Sequence, residues 1–99
     1  MSKEDQKKMA IHVIDSLNTK LAAQVDDYCK CLQSGTIQSC QPTYVELCTT
    51  YDSCHSRIES ASMAGLFTAD EYKQYKGQAT SLFDKKAACA KAAMARGAQ

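Results

Sequence analysis

The chain has little of the material from which a large hydrophobic core is built. Among its 99 residues there is no tryptophan and there are only two phenylalanines, and much of the 44% apolar content is alanine, cysteine and tyrosine. A chain of this length buries only about 60–65% of the surface that it exposes when unfolded. We therefore expect one small domain, residues 1–99, with a thin core. Such domains commonly need disulfides or a metal ion for stability.

Long apolar runs and stretches of one charge sign are also missing. No segment approaches the roughly 20 apolar residues that a membrane-spanning helix needs, so we expect no membrane span. Twelve basic and eleven acidic residues are interspersed and leave a formal charge of +1. Because no basic stripe with interleaved aromatic side chains is present, nucleic acid is disfavoured as a partner.

The common catalytic and cofactor-binding motifs are absent as well. The chain has no glycine-rich phosphate loop and no H-E-x-x-H, G-x-S-x-G or EF-hand pattern. Adjacent Cys54 and His55 suggest a nucleophile and a base, but neighbouring helical residues point about 100° apart and cannot form a dyad. We expect His55 to lie in or beside the core. We also expect no catalytic residue, no cofactor and no enzymatic activity.

Proline and glycine are scarce, and their positions divide the chain into helical segments. The single proline, Pro42, suits the first turn of a helix, where its missing N–H would be unpaired anyway. Gly35 is expected to end the preceding segment in a left-handed cap, and Gly65 to end the next one. Thr68 and Glu71 have the spacing of a capping box, which predicts the start of another helix.

Apolar residues recur at spacings of three and four within each of these segments, as expected for helices with one buried face. We predict helices at about residues 4–33, 42–64 and 69–95. Their short connections favour an all-α, up-down-up three-helix bundle.

Cysteine is the one residue type that the chain has in excess. Its six cysteines are Cys29, Cys31, Cys40, Cys48, Cys54 and Cys89. In an up-down-up bundle the end of the first helix, the start of the second and the end of the third meet at one pole, so we expect all six cysteines there. No two of them have the helical or tight-turn spacing that is usual for zinc ligands. Cross-links between helices need no such spacing.

Six cysteines allow 15 disulfide pairings. Counting residues back from the predicted turns, we favour Cys29 with Cys48, Cys31 with Cys40 and Cys54 with Cys89. Free buried thiols are one alternative, and a metal site is another. The candidate metal ligands are Cys29, Cys31, Cys40, Cys48 and His55. A thiol–disulfide relay would need an exposed reactive pair, for which the C-x-C at Cys29 and Cys31 is the candidate.

A cysteine-stapled helical hairpin over about residues 25–60, with no secretory signal before it, resembles the coiled-coil-helix–coiled-coil-helix proteins of the mitochondrial intermembrane space. That family carries two C-x₉-C pairs. Here eight residues separate Cys31 from Cys40 and seven separate Cys40 from Cys48. The resemblance implies oxidative folding in the intermembrane space.

Together these features predict a non-enzymatic structural or interaction protein, a small disulfide-stapled subunit or assembly factor that binds protein partners. The small side chains of the third helix suggest a partner-binding face formed by Ala87, Ala90 and Ala93. One alternative is a cysteine-based metal-binding module. Another is a bacterial cytoplasmic chaperone or anti-factor, in which a helical groove binds a protein and the cysteines are incidental.

Overall fold

A computed structural model describes residues 2–97 and contains three helices. Helix α1 spans Lys3–Ser34, α2 spans Gln41–Met63 and α3 spans Ala69–Ala95. The described part of the chain has no strand, and the all-α three-helix bundle predicted from the sequence is confirmed. Each helix begins and ends within one residue of its predicted position. Within residues 2–97, no helix has the combination of length and apolar character that crossing a membrane demands.

The starts of α2 and α3 follow the local signals in the sequence. Pro42 lies in the first turn of α2. The predicted capping box is present at α3, where the backbone N–H of Glu71 donates to Thr68 Oγ1 at 3.1 Å. The backbone N–H of Thr68 in turn donates to Glu71 Oε1 at 2.9 Å. These bonds satisfy N–H groups that have no partner within the helix.

The two glycines that follow α1 and α2 act in different ways. Gly65 has φ +75°, and the N–H of Leu66 donates to the carbonyl of Ala61, as in a Schellman motif. The left-handed cap predicted at Gly35 is wrong, because its φ of −121° and ψ of −169° are extended. A Cβ at Gly35 would lie 2.8 Å from Ser39 Oγ, so glycine is needed there for a close approach of the loop.

The core consists of two clusters, one toward each end of the bundle. The cluster that we call the stapled end contains Leu21, Val25, Tyr28, Leu32, Cys40, Leu47 and Ala93. The cluster that we call the open end contains Ile14, Cys54, Ile58, Ala61, Phe67 and Ala79. Five cysteines lie in or against the stapled end, but Cys54 lies at the open end. The prediction that all six gather at one pole is therefore wrong for Cys54.

Helix α3 contributes the fewest side chains to this core. Only Ala79 and Ala93 of α3 are fully buried, whereas α1 buries five side chains. Aromatic contacts add to its packing, since the rings of Tyr51 and Phe83 stack with centroids 4.0 Å apart. Because two alanines bury little apolar area, α3 is the helix whose position depends most on other constraints.

Candidate functional site

The first disulfide joins Cys31, near the end of α1, to Cys40, just before α2. Their Cα atoms are 6.0 Å apart. This pair is the one that was predicted correctly from the sequence. Reciprocal hydrogen bonds between Thr36 and Ser39 fold the loop that the disulfide closes. The disulfide therefore fixes the turn between α1 and α2.

The second disulfide joins Cys29 of α1 to Cys89 of α3, with Cα atoms 5.4 Å apart. The predicted pairs Cys29–Cys48 and Cys54–Cys89 are therefore wrong. Cys48 and Cys54 are instead the two free cysteines of the chain. The second disulfide ties α3 to α1, and no disulfide joins α2 to α3.

Helix geometry explains both errors. Cys29 and Cys31 point about 200° apart on α1, so when Cys31 faces the turn toward α2, Cys29 faces α3. Cys54 lies in the same cluster as Ala79 of α3. Cys89 is ten residues farther along α3 than Ala79, a distance of about 15 Å at the helical rise of 1.5 Å per residue. The two thiols are therefore too far apart along the bundle to form a bond.

The Cys54 thiol is free and buried at the open end of the bundle. Its Sγ donates a hydrogen bond to Asn18 Oδ1 at 3.3 Å. Burial raises the pKa of the Cys54 thiol above its usual value of 9.0, and the negative charge of Asp15 adds to this effect. A buried thiol that stays protonated is a poor nucleophile, so Cys54 acts as a core residue.

Cys48 is the second free thiol, and it lies half-buried beside the stapled end. Its proximity raises the pKa of the Tyr44 hydroxyl, and burial of that hydroxyl adds to the effect. The Tyr44 ring also packs against Tyr28, with centroids 5.6 Å apart. Cys48 therefore lies beside tyrosine side chains. It packs against the same cluster as the four disulfide-bonded cysteines, but it is bonded to none of them.

The metal site considered from the sequence is not assembled. Cys29, Cys31 and Cys40 are held in disulfides, which removes three of the five candidate thiolate and imidazole ligands. His55 instead packs against Tyr51, with ring centroids 5.8 Å apart. Within residues 2–97, no group of three or more histidine, cysteine or acidic side chains could hold a metal ion.

The predicted partner-binding face of α3 is largely occupied by the domain itself. Ala93 has no exposed surface, and Ala90 packs against the same stapled-end cluster. Only Ala87 of the three alanines is exposed. The small side chains allow α3 to approach its own bundle, so the prediction of a free alanine face is wrong for Ala93, while Ala90 is half-buried.

A cavity of about 550 Å³ lies between α1 and α3, and both Cys29 and Cys89 line it. We call it the α1–α3 cavity. Leu82 contributes to its apolar wall, and Asp26 and Lys85 supply charges. Both cysteines of the disulfide between α1 and α3 therefore border this cavity.

A second cavity, of about 300 Å³, lies between α1 and α2 near the open end, and we call it the open-end groove. Its apolar lining includes Met9, Val13 and Leu66. Met9 remains 57% exposed, which leaves a large apolar side chain mostly in solvent. Arg57 also lines the groove, and it forms no ion pair in the part of the chain that the structure describes.

Sequence reasoning missed the charged groups that join the helices. Lys7 of α1 pairs with the carboxylate of Glu71 at 2.7 Å, and this hydrogen-bonded contact lowers the pKa of Glu71. Glu59 of α2 accepts hydrogen bonds from Tyr72 and Lys76 of α3, which lower the pKa of Glu59. Only the four-residue spacing of Tyr72 and Lys76 could have suggested this cluster. These contacts join neighbouring helices, so their role is to hold the bundle together.

Comparison of the chain with models of known protein families, with curated proteins and with solved structures finds no match. The resemblance to the intermembrane-space proteins stays a prediction from the cysteine-stapled hairpin. The function is therefore inferred from the chain's own residues.

Proposed function

We propose that the protein is a non-enzymatic interaction protein, a small disulfide-stapled subunit or assembly factor of a larger complex. The observation that carries this proposal is the open-end groove, whose lining is mostly apolar and which lies at the end of the bundle away from the disulfides. Exposed apolar surface that is rimmed by polar residues is typical of sites of protein interaction. Met9 supplies an adaptable apolar side chain, as methionine does at many binding surfaces.

The occupant that fits this groove is an amphipathic helix of a partner protein, with apolar side chains beside a carboxylate. The volume of about 300 Å³ is at the lower limit for pockets that enclose small molecules. Because Arg57 has no ion-pair partner within residues 2–97, its charge is available to a carboxylate of the partner. Packing of an amphipathic helix into an apolar groove is a common mode of protein recognition.

The disulfides have a separate role in this proposal, because they hold the stapled end together while the groove binds. Disulfides form and persist in oxidising compartments. Together with the resemblance of the hairpin, the bonds Cys29–Cys89 and Cys31–Cys40 support the mitochondrial intermembrane space over the bacterial cytoplasm. Measuring intact mass after alkylation without reductant, in denaturant, tests this part. Two alkylated cysteines support the stapled protein, and six contradict it.

Two methionines of equal exposure provide a matched test of the groove. Met9 and Met94 are both 57% exposed, but only Met9 lines the groove. We expect Met9→Glu to abolish co-purification of the partner from the native source, because a carboxylate would be buried at the interface. Met94→Glu should leave the complex intact. A protein that migrates as a 10.8 kDa monomer in native extract, or equal effects of both variants, would contradict the proposal.

A further inference from the structure

We propose that the Cys29–Cys89 bond is a thiol–disulfide exchange site that takes the thiolate of a cysteine-containing peptide through the α1–α3 cavity. This inference goes beyond the proposed function and does not rest on the open-end groove. It concerns the disulfide that joins α1 to α3, and not the C-x-C pair that the sequence suggested.

The two disulfides differ in how readily an attacking thiolate can open them. Cys29 and Cys89 are both half-buried, and both line the α1–α3 cavity of about 550 Å³. In the other disulfide Cys31 is also half-buried, but Cys40 is only 1% exposed and belongs to the core. Attack on Cys31 would release the Cys40 thiolate into apolar surroundings, which disfavour the charge. Because exchange requires both access to one sulfur and a stable leaving thiolate, Cys29–Cys89 is the bond that a peptide thiolate opens.

The charges of the α1–α3 cavity favour an anionic substrate. Asp26 forms an exposed ion pair with Lys30, whose Nζ lies 3.0 Å from the Asp26 carboxylate. Lys85 lines the same cavity and forms no ion pair within the described chain. Its positive charge therefore attracts a thiolate to the cavity.

Lys85 also determines which sulfur leaves. It precedes Cys89 by one helical turn, so the two side chains lie on the same face of α3. A nearby cation stabilises a thiolate, which makes Cys89 the better leaving group. The incoming thiolate is therefore directed to Cys29.

The exchange balances without any further oxidant. The peptide thiolate attacks Cys29 Sγ, a mixed disulfide forms between the peptide and Cys29, and the Cys29–Cys89 bond breaks. The electron pair of that bond leaves on Cys89 Sγ as a thiolate. A second peptide thiolate then attacks the peptide sulfur of the mixed disulfide and releases Cys29 as a thiolate. Two thiols are oxidised to one disulfide, and the protein disulfide is reduced to two thiols.

Reduced glutathione, a cysteine-containing peptide, is the probe for the test. The oxidised full-length protein is incubated with glutathione in native buffer, alkylated at intervals and mapped by peptide mass spectrometry. We expect Cys29–Cys89 to open about tenfold faster than Cys31–Cys40, with the first glutathione adduct on Cys29. Equal rates of opening, faster opening of Cys31–Cys40, or a first adduct on Cys89 would overturn the proposal.

Three lysine variants test the role of the charge. Lys85→Gln should slow the opening of Cys29–Cys89 about threefold, the size of an exposed charge effect. Lys85→Arg keeps the charge and should retain the native rate. Lys91→Gln removes an exposed lysine of the same helix that does not line the cavity, and it should also retain the rate. Equal rates for Lys85→Gln and Lys91→Gln contradict the charge assignment.

A Cys48→Ala variant separates attack by glutathione from attack by the free thiol of the chain itself. The preference for opening Cys29–Cys89 should be unchanged in this variant. Loss of the preference would assign the exchange to Cys48 and overturn the proposal.

Discussion

Removal of the Cys29–Cys89 disulfide should destabilise the protein more than removal of Cys31–Cys40. The two bonds close chain segments with sequence separations of 60 and 9. In the loop-entropy relation, the long bond stabilises the folded state by about 4.3 kcal/mol and the short one by about 2.7 kcal/mol. The difference is expected to be larger in this bundle, because Ala79 and Ala93 are the only fully buried side chains of α3.

The comparison uses two double variants, one with alanine at Cys29 and Cys89 and the other with alanine at Cys31 and Cys40. Urea unfolding, followed by far-ultraviolet circular dichroism, gives the free energy of unfolding of each. A domain of this size has a free energy of unfolding of about 5–15 kcal/mol. A loss of about 4 kcal/mol therefore shifts the urea midpoint by more than the experimental error. Wild-type protein kept in reductant is the control and should lose at least as much stability as the Cys29 and Cys89 variant. An equal or greater loss in the Cys31 and Cys40 variant would refute the reasoning.

Three further predictions concern glycine, pH and thiol reactivity. Gly77→Ala should raise the free energy of unfolding by about 0.5–1 kcal/mol in thermal melts, because Gly77 lies inside α3 with open space around it. Gly65→Ala should lower it, because its φ of +75° strains a side chain. Since the folded-state pKa of Glu71 is lowered from 4.5, its contribution to stability should be present above pH 4.5 and lost as pH falls through the folded pKa. Acid titration of Glu71→Gln should therefore show a smaller loss of stability than that of the wild type. In native buffer, alkylation should modify Cys48 and spare Cys54, and modification of both at one rate would contradict the buried position of Cys54.

The helices were predictable because their boundaries are set by local interactions. The capping box of Thr68 and Glu71 and the position of Pro42 involve residues within one turn of each other, and such signals are visible in the sequence. The left-handed cap predicted at Gly35 was wrong because glycine is favoured there for a different reason. A Cβ at this position would meet the side chain of Ser39, and that contact exists only in the folded loop.

The disulfide between α1 and α3 was not predictable from residue counting. Counting residues along antiparallel helices gives the position of each residue along the axis of the bundle. The partner of Cys29 also depends on how far α1 is rotated about its own axis. That rotation is set by packing of all three helices around the core. The same packing buries Ala93, which is why it was assigned wrongly from the sequence to an exposed partner-binding face. It also places Met9 at the open-end groove, a position for which no prediction was made from the sequence.

The unequal spans of the two disulfides also set an order for oxidative folding. Closing the segment between Cys29 and Cys89 costs about 1.6 kcal/mol more chain entropy than closing that between Cys31 and Cys40, from the logarithmic dependence on loop length. Cys40 therefore meets Cys31 about fifteenfold more often in the unfolded chain than Cys89 meets Cys29. The hairpin of α1 and α2 is covalently closed first, and the docking of α3 is a late step that the long bond then cross-links.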